Sequence, residues 1–245
     1  AVSFRVELLD NASGDDSPRI LEDAIRENGW EPWVRFEAGT ENLGFAGGNN
    51  LLIRKVLAEK DVPKYLLLLN SDTIVHPGCL EASVKAFEKE PQTGALSCML
   101  RNADGSVQNV CRQLPSPLRM TLHFLGLPWT MPRLFGWADL EDPGWNREKE
   151  SRDVGWVGGA FLLVRSDLVE KIGGLDEDFF FYGEDIEFCH RINRNGYRVR
   201  FDPSGEITHL GGASSDSSRL LDERKVRLEW QARLLVQRKC YGRLA

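Results

Sequence analysis

The sequence predicts an α/β fold in which a mixed, mostly parallel sheet is flanked by helices. Three observations carry that reading. Strand and helix signals alternate along most of the 245 residues, as in a sheet built from crossover units. The run Tyr65-Leu66-Leu67-Leu68-Leu69 has no polar break, which suits a strand buried on both faces. It passes directly into Asn70-Ser71-Asp72, and open α/β sheets bind ligands at the carboxyl ends of their strands.

The elements follow in order. Ser3 to Leu9 reads as a strand that ends at Asp10-Asn11-Ala12-Ser13. Ser17-Pro18 opens a helix with a capping residue and a proline in its first turn, and Asn28-Gly29 closes it. Val34-Arg35-Phe36 is a short strand. Asn42 to Asn50 is a glycine-rich loop opening a helix that runs to about Lys60. After the leucine strand come a helix from about Leu80 to Lys89, a strand from Gly94 to Leu100 and a turn at Asp104-Gly105. Residues 114–153 break the rhythm with five prolines and with Trp129, Trp137 and Trp145. A connection of that length is a functional segment or a helical cover for the sheet. Val154 to Val164 then reads as one glycine-containing strand, followed by a helix from Ser166 to Ile172. Glu184 opens a helix whose Ile186, Cys189 and Ile192 share one face, ended by Gly196. Tyr197 to Asp202 alternates as a strand, and Glu206 to His209 leads into Gly211-Gly212.

Composition narrows the function. A net charge of -6 argues against a general nucleic-acid binder. The five cysteines are odd in number and never spaced as metal pairs, which predicts reduced thiols and a cytoplasmic setting. No apolar run has the length to span a bilayer. From Arg219 to Arg243, eight Lys/Arg stand against three Asp/Glu, and Val226, Trp230, Leu234 and Leu235 form an apolar stripe. That basic amphipathic helix, residues 219–245, either packs on the domain of residues 1–218 or makes a peripheral contact with an anionic membrane.

Several residues carry chemistry. Asp72 offers a carboxylate to a divalent cation, which in turn holds a diphosphate; a plain strand-to-turn transition would use the same residues. Gly44, Gly47 and their neighbours let a backbone approach a phosphate closely, or simply start a helix. Glu184 and Asp185 are good helix-start residues, since carboxylates offset the macrodipole there, and that placement predicts an ionised Asp185 at neutral pH. Phe179 to Tyr182 either wall a site or fill the core.

Together these motifs resemble a family. Asp10-Asn11-Ala12-Ser13, the loop Asn42-x-Gly44-Phe45-Ala46-Gly47-Gly48-x-Asn50, Asn70-Ser71-Asp72, the block Gly173 to Asp185 and His209-x-Gly211-Gly212 look like family 2 glycosyltransferases. Within it they are similar to bacterial rhamnosyltransferase-like members of the Rossmann-like GT-A fold, over about Val6 to Gly212. The resemblance implies an inverting transfer of a sugar from a nucleotide-sugar donor to a glycan or lipid-linked acceptor in cell-surface polysaccharide synthesis. It favours dTDP-rhamnose as donor, with a UDP-sugar second. Asp185 is then the general base, with Glu184 orienting the acceptor. The donor site comprises Asp10 on the base, Asn42, Gly44, Phe45, Gly47, Asn49, Asp72, Gly158 and Gly159. Asp72 and His209 are the ligands of a divalent metal, Mn²⁺ or Mg²⁺, on the diphosphate, and residues 114–153 form an acceptor-side insertion.

The sequence departs from the family in two places. Asn70 stands where an acidic residue is usual, so Asp72 is the motif's one anionic ligand. Asp10 comes early, because relatives place a strand and helix before it; the chain is truncated there, or its start is misassigned, or the fold compensates. Two other classes share these features. A catalytically silent sugar-nucleotide or glycan-binding domain would bind without turnover, and a nucleotidyltransferase would release pyrophosphate.

Overall fold

The computed structural model describes residues 2–109, 111–141, 147–211 and 219–242, and side chains throughout these except at 219–225. Trp145, Gly212 and Arg243, cited above, lie outside the described residues. The chain opens with β1 (Val6–Asp10), α1 (Ser17–Glu27) and β2 (Val34–Ala38). The two strands pair in parallel as a two-stranded sheet. Pro18 sits in the first turn of α1, where its missing N–H leaves no partner unsatisfied. Next come α2 (Gly44–Leu57), β3 (Tyr65–Leu69), β4 (Thr73–Val75), α3 (Cys79–Lys89) and β5 (Thr93–Arg101). A short β6 (Cys111–Arg112) leads to α4 (Pro117–Phe124), α5 (Leu127–Thr130), α6 (Pro132–Phe135) and a 3-10 turn at Gly136–Ala138. The chain continues through β7 (Arg152–Val154), β8 (Trp156–Val157), β9 (Phe161–Arg165), α7 (Ser166–Ile172), α8 (Glu184–Arg194), β10 (Arg198–His209) and α9 (Arg219–Tyr241).

The main sheet has six strands in the order β3-β9-β5-β10-β4, with β7 also on β10. The sheet is mixed, as expected, but its parallel share is smaller than the alternating pattern predicts. The β5–β10 pair is parallel, whereas β9 runs antiparallel to both β3 and β5, and β4 and β7 run antiparallel to β10. The long irregular connection before β9 is the physical reason. A strand reached without a crossover helix enters the sheet from either end.

Burial also moves. The strand covered on both faces is β5, buried from Thr93 through Leu100, while β3 pairs with β9 alone and leaves Leu69 exposed. The predicted strand Val154 to Val164 is divided into β7, β8 and β9. A Cβ on Gly155 would lie 2.2 Å from the Leu114 amide nitrogen, so the backbones of two segments meet there and the ladder breaks. Tyr197 to His209, read as two pieces, forms one long strand with a register shift between Phe201 and Glu206.

One apolar core lies between the sheet and α2, α7 and α8, centred on Ala95, Leu162, Val164, Leu168, Phe188 and Ile192. At roughly 25 cal/mol per Å² of apolar surface, each such side chain contributes about 1.5–3 kcal/mol on burial. A second cluster packs α3 on the other face through Phe87, Leu96, Leu100 and Phe161. All five cysteines are buried and free, in keeping with the reduced thiols expected. The stripe predicted on α9 divides between two faces. Val236 and Cys240 pack on Phe179 with Leu235 beside them, whereas Val226, Trp230 and Leu234 face outward. Positions 234 and 235 differ by about 100° around a helix, so one of them must turn away from the other's partner.

Candidate active site

The site is built where β3, β4, β9, β10 and the first turn of α8 meet. Asn70 follows β3 directly, and its N–H donates to the Ala160 carbonyl at 3.2 Å. Asp72 is held by its own backbone, since its carbonyl accepts from Leu210 N–H at 2.9 Å across the β4–β10 ladder, where His209 pairs with Thr73. These bonds bring Asp72 and His209 together: His209 Nε2 lies 3.2 Å from Asp72 Oδ1 and 3.4 Å from Asn70 Nδ2. His209 Nδ1 donates to Gln108 Oε1 at 2.7 Å. In that tautomer Nε2 carries a lone pair beside the Asp72 carboxylate, with the Asn70 amide N–H also in reach, so one nitrogen and one oxygen ligand atom lie adjacent. The donor set of one carboxylate and one imidazole fits Mn²⁺ chemistry, with the remaining positions left to ligand oxygens. No group of three or more His, Cys, Asp or Glu gathers among the described residues. Gln108 carries no motif signal in the sequence, and its role emerges only from the turn that lays residues 101–108 against β10.

The second half of the site is the candidate base. Gly183, in the left-handed conformation, caps α8 and follows Tyr182, which also has a positive φ of 68°. Two consecutive left-handed residues, one of them aromatic, form a strained turn of the kind concentrated at functional sites. This turn delivers Glu184 and Asp185. Asp185 Oδ2 accepts from Gly159 N–H at 3.3 Å, and Oδ1 accepts from Ile186 N–H at 2.8 Å. Gly159 packs closely on α2: a Cβ there would sit 3.1 Å from the Phe45 ring, which would have to shift by a few tenths of an ångström. Phe45 N–H in turn donates to the Phe180 carbonyl at 3.1 Å. Gly44, at a φ of 69°, lies so close to that carbonyl that a Cβ would approach it to 2.5 Å. Phe45, Gly159, Gly44 and Asp185 are therefore brought into one cluster. Gly158 lies half-buried immediately before Gly159.

The remaining donor-side residues have local roles in this geometry. Asp10 is buried at the end of β1, and its side chain accepts from the N–H of Ser13, three residues on, at 2.9 Å. Asn42 Oδ1 accepts from Gly44 N–H at 2.9 Å. Asn49 donates to the Phe45 carbonyl one turn back in α2, at 2.9 Å. A Cβ on Gly47 would meet Leu43 Cβ at 2.9 Å, so helix-start packing accounts for that glycine. Two asparagines do more than their neighbours. Asn11 accepts from Leu43 N–H at 3.0 Å and donates to the Gly44 carbonyl at 3.0 Å, tying β1 to the loop. Buried Asn50 donates to the Leu175 carbonyl and to Glu177, both at 2.8 Å, and accepts from Leu175 N–H at 2.9 Å. The sequence marks Asn50 only as part of the Gly-Gly-Asn-Asn run. The aromatic run splits: Phe179 is core, whereas Phe180 and Phe181 are exposed.

The electrostatics revise one expectation. Burial raises the Asp185 carboxyl to about 6 and outweighs the backbone N–H groups that pull it down. Asp185 is still ionised at neutral pH, but by a smaller margin than the helix start alone predicts. Glu184 is raised further, by burial first and by the Asp185 charge second. Its Oε2 is buried without a hydrogen-bond partner. Folding therefore holds a proton on Glu184 that the unfolded chain releases near 4.5, and stability falls as pH rises through that window. Glu184→Gln is expected to raise the melting temperature at pH 9 and to leave it little changed at pH 5. A gain equal at both values would show that no proton is involved.

Residues 33–228 fit the model described as glycosyltransferase like family 2. The chain belongs to that family. It is 31% identical over 210 residues to an N-acetylglucosaminyl-diphospho-decaprenol L-rhamnosyltransferase of Mycobacterium tuberculosis, covering 83% of this chain and 66% of the relative. It is 28% identical over 172 residues to the rhamnosyltransferase WbbL of Escherichia coli, covering 68% and 60% respectively. The chain thus spans about two thirds or less of the length of these relatives. Among solved structures, the mannosyltransferase PcManGT of Pyrobaculum calidifontis, in complex with GDP-Man and Mn²⁺, superposes with a TM-score of 0.55. That match is 19% identical and covers 86% of this chain and 49% of the other. TarS of S. aureus in complex with UDP superposes at 0.53 with 15% identity, covering 92% and 54%. The family 2 chain shares the GT-A fold with these proteins, and at such identities the likeness concerns the fold alone.

Proposed function

We propose that this family 2 chain is the donor-binding and catalytic unit of an inverting, metal-dependent glycosyltransferase. Its donor is a nucleotide sugar, dTDP-rhamnose in preference to a UDP-sugar, and its acceptor is a hydroxyl of a lipid-linked glycan in cell-surface polysaccharide synthesis. One observation carries the reading. Two adjacent residues, Gly159 and Ala160, bond to the candidate base and to the metal motif: Gly159 N–H to Asp185, and the Ala160 carbonyl to Asn70 N–H. The base is thus fixed on the same short stretch of backbone as the motif that would hold the diphosphate.

Asp10 would meet the base, and the Asn42–Asn49 segment and Gly158-Gly159 would bring backbone close to the donor. Asp72 and His209 would hold the divalent cation, which neutralises charge on the departing diphosphate. Asp185 accepts the acceptor hydroxyl's proton as that oxygen forms its bond to the anomeric carbon. The bond from that carbon to the diphosphate oxygen breaks on the opposite face, its electron pair leaves with the nucleotide, and configuration inverts. The names of the relatives support rhamnose and, for one of them, a diphospho-polyprenol acceptor, which supports work at a membrane surface. The outward stripe on α9 supports peripheral contact there, and no helix among the described residues is long and apolar enough to cross it.

The test is transfer from dTDP-rhamnose and UDP-sugars to an N-acetylglucosaminyl-diphospho-prenol, with proton NMR of the new anomeric centre. An inverted linkage and released nucleoside diphosphate are expected. A retained configuration would exclude single displacement, and pyrophosphate release would indicate nucleotidyl transfer instead.

A further inference from the structure

Leu114 to Ala138 contains no aspartate or glutamate, although acidic residues outnumber basic ones in the chain by 37 to 31. Its ionisable side chains are Arg119, His123 and Arg133. The segment folds as α4, α5, α6 and the 3-10 turn, and its inner side is firmly attached. Ser116 caps α4, Pro128 and Ala138 are buried, and His123 lies 3.7 Å from the buried Asp139. Gln237 of α9 donates to the Pro115 carbonyl at 2.6 Å. Its outer side is apolar. Leu118, Phe124, Leu125, Trp129, Leu134 and Trp137 are each more than half exposed. Soluble proteins seldom leave so many large apolar side chains in water without a partner.

We propose that this face, α4 through the 3-10 turn, is a docking surface for an anionic lipid bilayer, with Trp129, Trp137 and Phe124 at the headgroup level. Tryptophan suits that depth because its ring is apolar and its N–H stays wet. The charge balance selects the lipid. A basic segment without carboxylates is attracted to anionic headgroups together with the neighbouring basic α9, while the acidic remainder of the chain is repelled, so the field also sets the orientation. A second copy docked on this face about a two-fold axis would gather arginines from both copies with no carboxylate of the segment to pair them. The outward stripe Val226, Trp230 and Leu234 of α9 ends one turn before Gln237, which joins α9 to the Pro115 end of α4, so the two apolar surfaces adjoin. This deepens the membrane part of the proposed function and rests on that reading only for the lipid-linked acceptor. Vesicle binding itself needs neither donor nor acceptor.

The experiment is co-sedimentation of the full chain with phosphatidylglycerol/phosphatidylcholine vesicles and with pure phosphatidylcholine vesicles. It is run for the wild type and for Leu125→Ser/Trp129→Ser/Leu134→Ser, and separately for Arg133→Glu. Binding to the anionic vesicles is expected, weakened about 10-fold or more in the triple variant. Salt and Arg133→Glu should also weaken it. Far-ultraviolet circular dichroism and dTDP binding should be unchanged in these exposed-site variants. Equal binding by the wild type and the triple variant would overturn the proposal. So would absence of binding to anionic vesicles, or a wild-type dimer in light scattering that the triple variant abolishes. Loss of dTDP binding in the wild type would count against the donor site and leave the lipid surface standing.

Discussion

Asp185→Asn is expected to lower kcat by about 10²–10⁴-fold, the usual worth of a positioned base, with no fall in melting temperature. Asparagine preserves the shape and can still accept from Gly159 N–H, so the bond that places residue 185 survives. It removes the proton acceptor and a half-buried charge whose burial already raises the carboxyl. Donor binding should be retained, because the metal motif is attached through Ala160 and not through Asp185. In the wild type, kcat/KM should fall below about pH 6, where Asp185 takes up its proton. The same acid limb in the Asn variant would assign that titration to another group. Stopped kinetics with intact donor binding would separate the enzyme from a silent binding domain, which predicts no turnover in either protein.

Asn50→Ala should produce the largest loss of stability. The Asn50 side chain satisfies both the N–H and the carbonyl of Leu175 and also reaches Glu177. Alanine would strand two backbone groups at a buried position, at about 1–3 kcal/mol each. A fall in melting temperature of about 5–15 °C follows for a chain of this size. Gly174 is part of the same junction: a Cβ there would come within 2.2 Å of Asn50 Oδ1. Thermal denaturation of Asn50→Ala and Asn50→Asp checks this. Aspartate should not recover the loss: it still accepts from Leu175 N–H, but its second oxygen would face the Leu175 carbonyl and the Glu177 carboxylate, to both of which Asn50 donates. No fall in the alanine variant would remove the proposed link between α2 and the Gly173–Glu177 turn.

The sequence marks the parts of this site whose chemistry is local. Asp72, Asp185 and the glycines are visible because turns, helix starts and strand ends have their own residue preferences, whereas His209 stands out only through the family resemblance. The cluster of Phe45, Gly159 and Asp185 was legible as three separate motifs, and their meeting depends on β9 entering the sheet antiparallel. That polarity has no signal in an alternating pattern, which is why the parallel share came out too high. Gln108 and Asn11 were passed over for the same reason. Their partners are about a hundred and about thirty residues away, and a single asparagine or glutamine carries no period. The α9 stripe was read as one face because Leu234 and Leu235 are adjacent in sequence. Packing on Phe179 decides which of them turns inward. The helix start predicts a lowered Asp185 pKa, whereas burial raises it; the direction reverses because burial is a tertiary property and the helix start a local one.

The central claim is that Asp72 and His209 hold a divalent cation on the donor's diphosphate. Calorimetric titration with dTDP and with UDP, each with and without Mn²⁺, tests it most directly. The expected result is metal-dependent binding that Asp72→Ala abolishes and that is tighter for dTDP. Binding of equal strength without metal, or binding unchanged in Asp72→Ala, would contradict it.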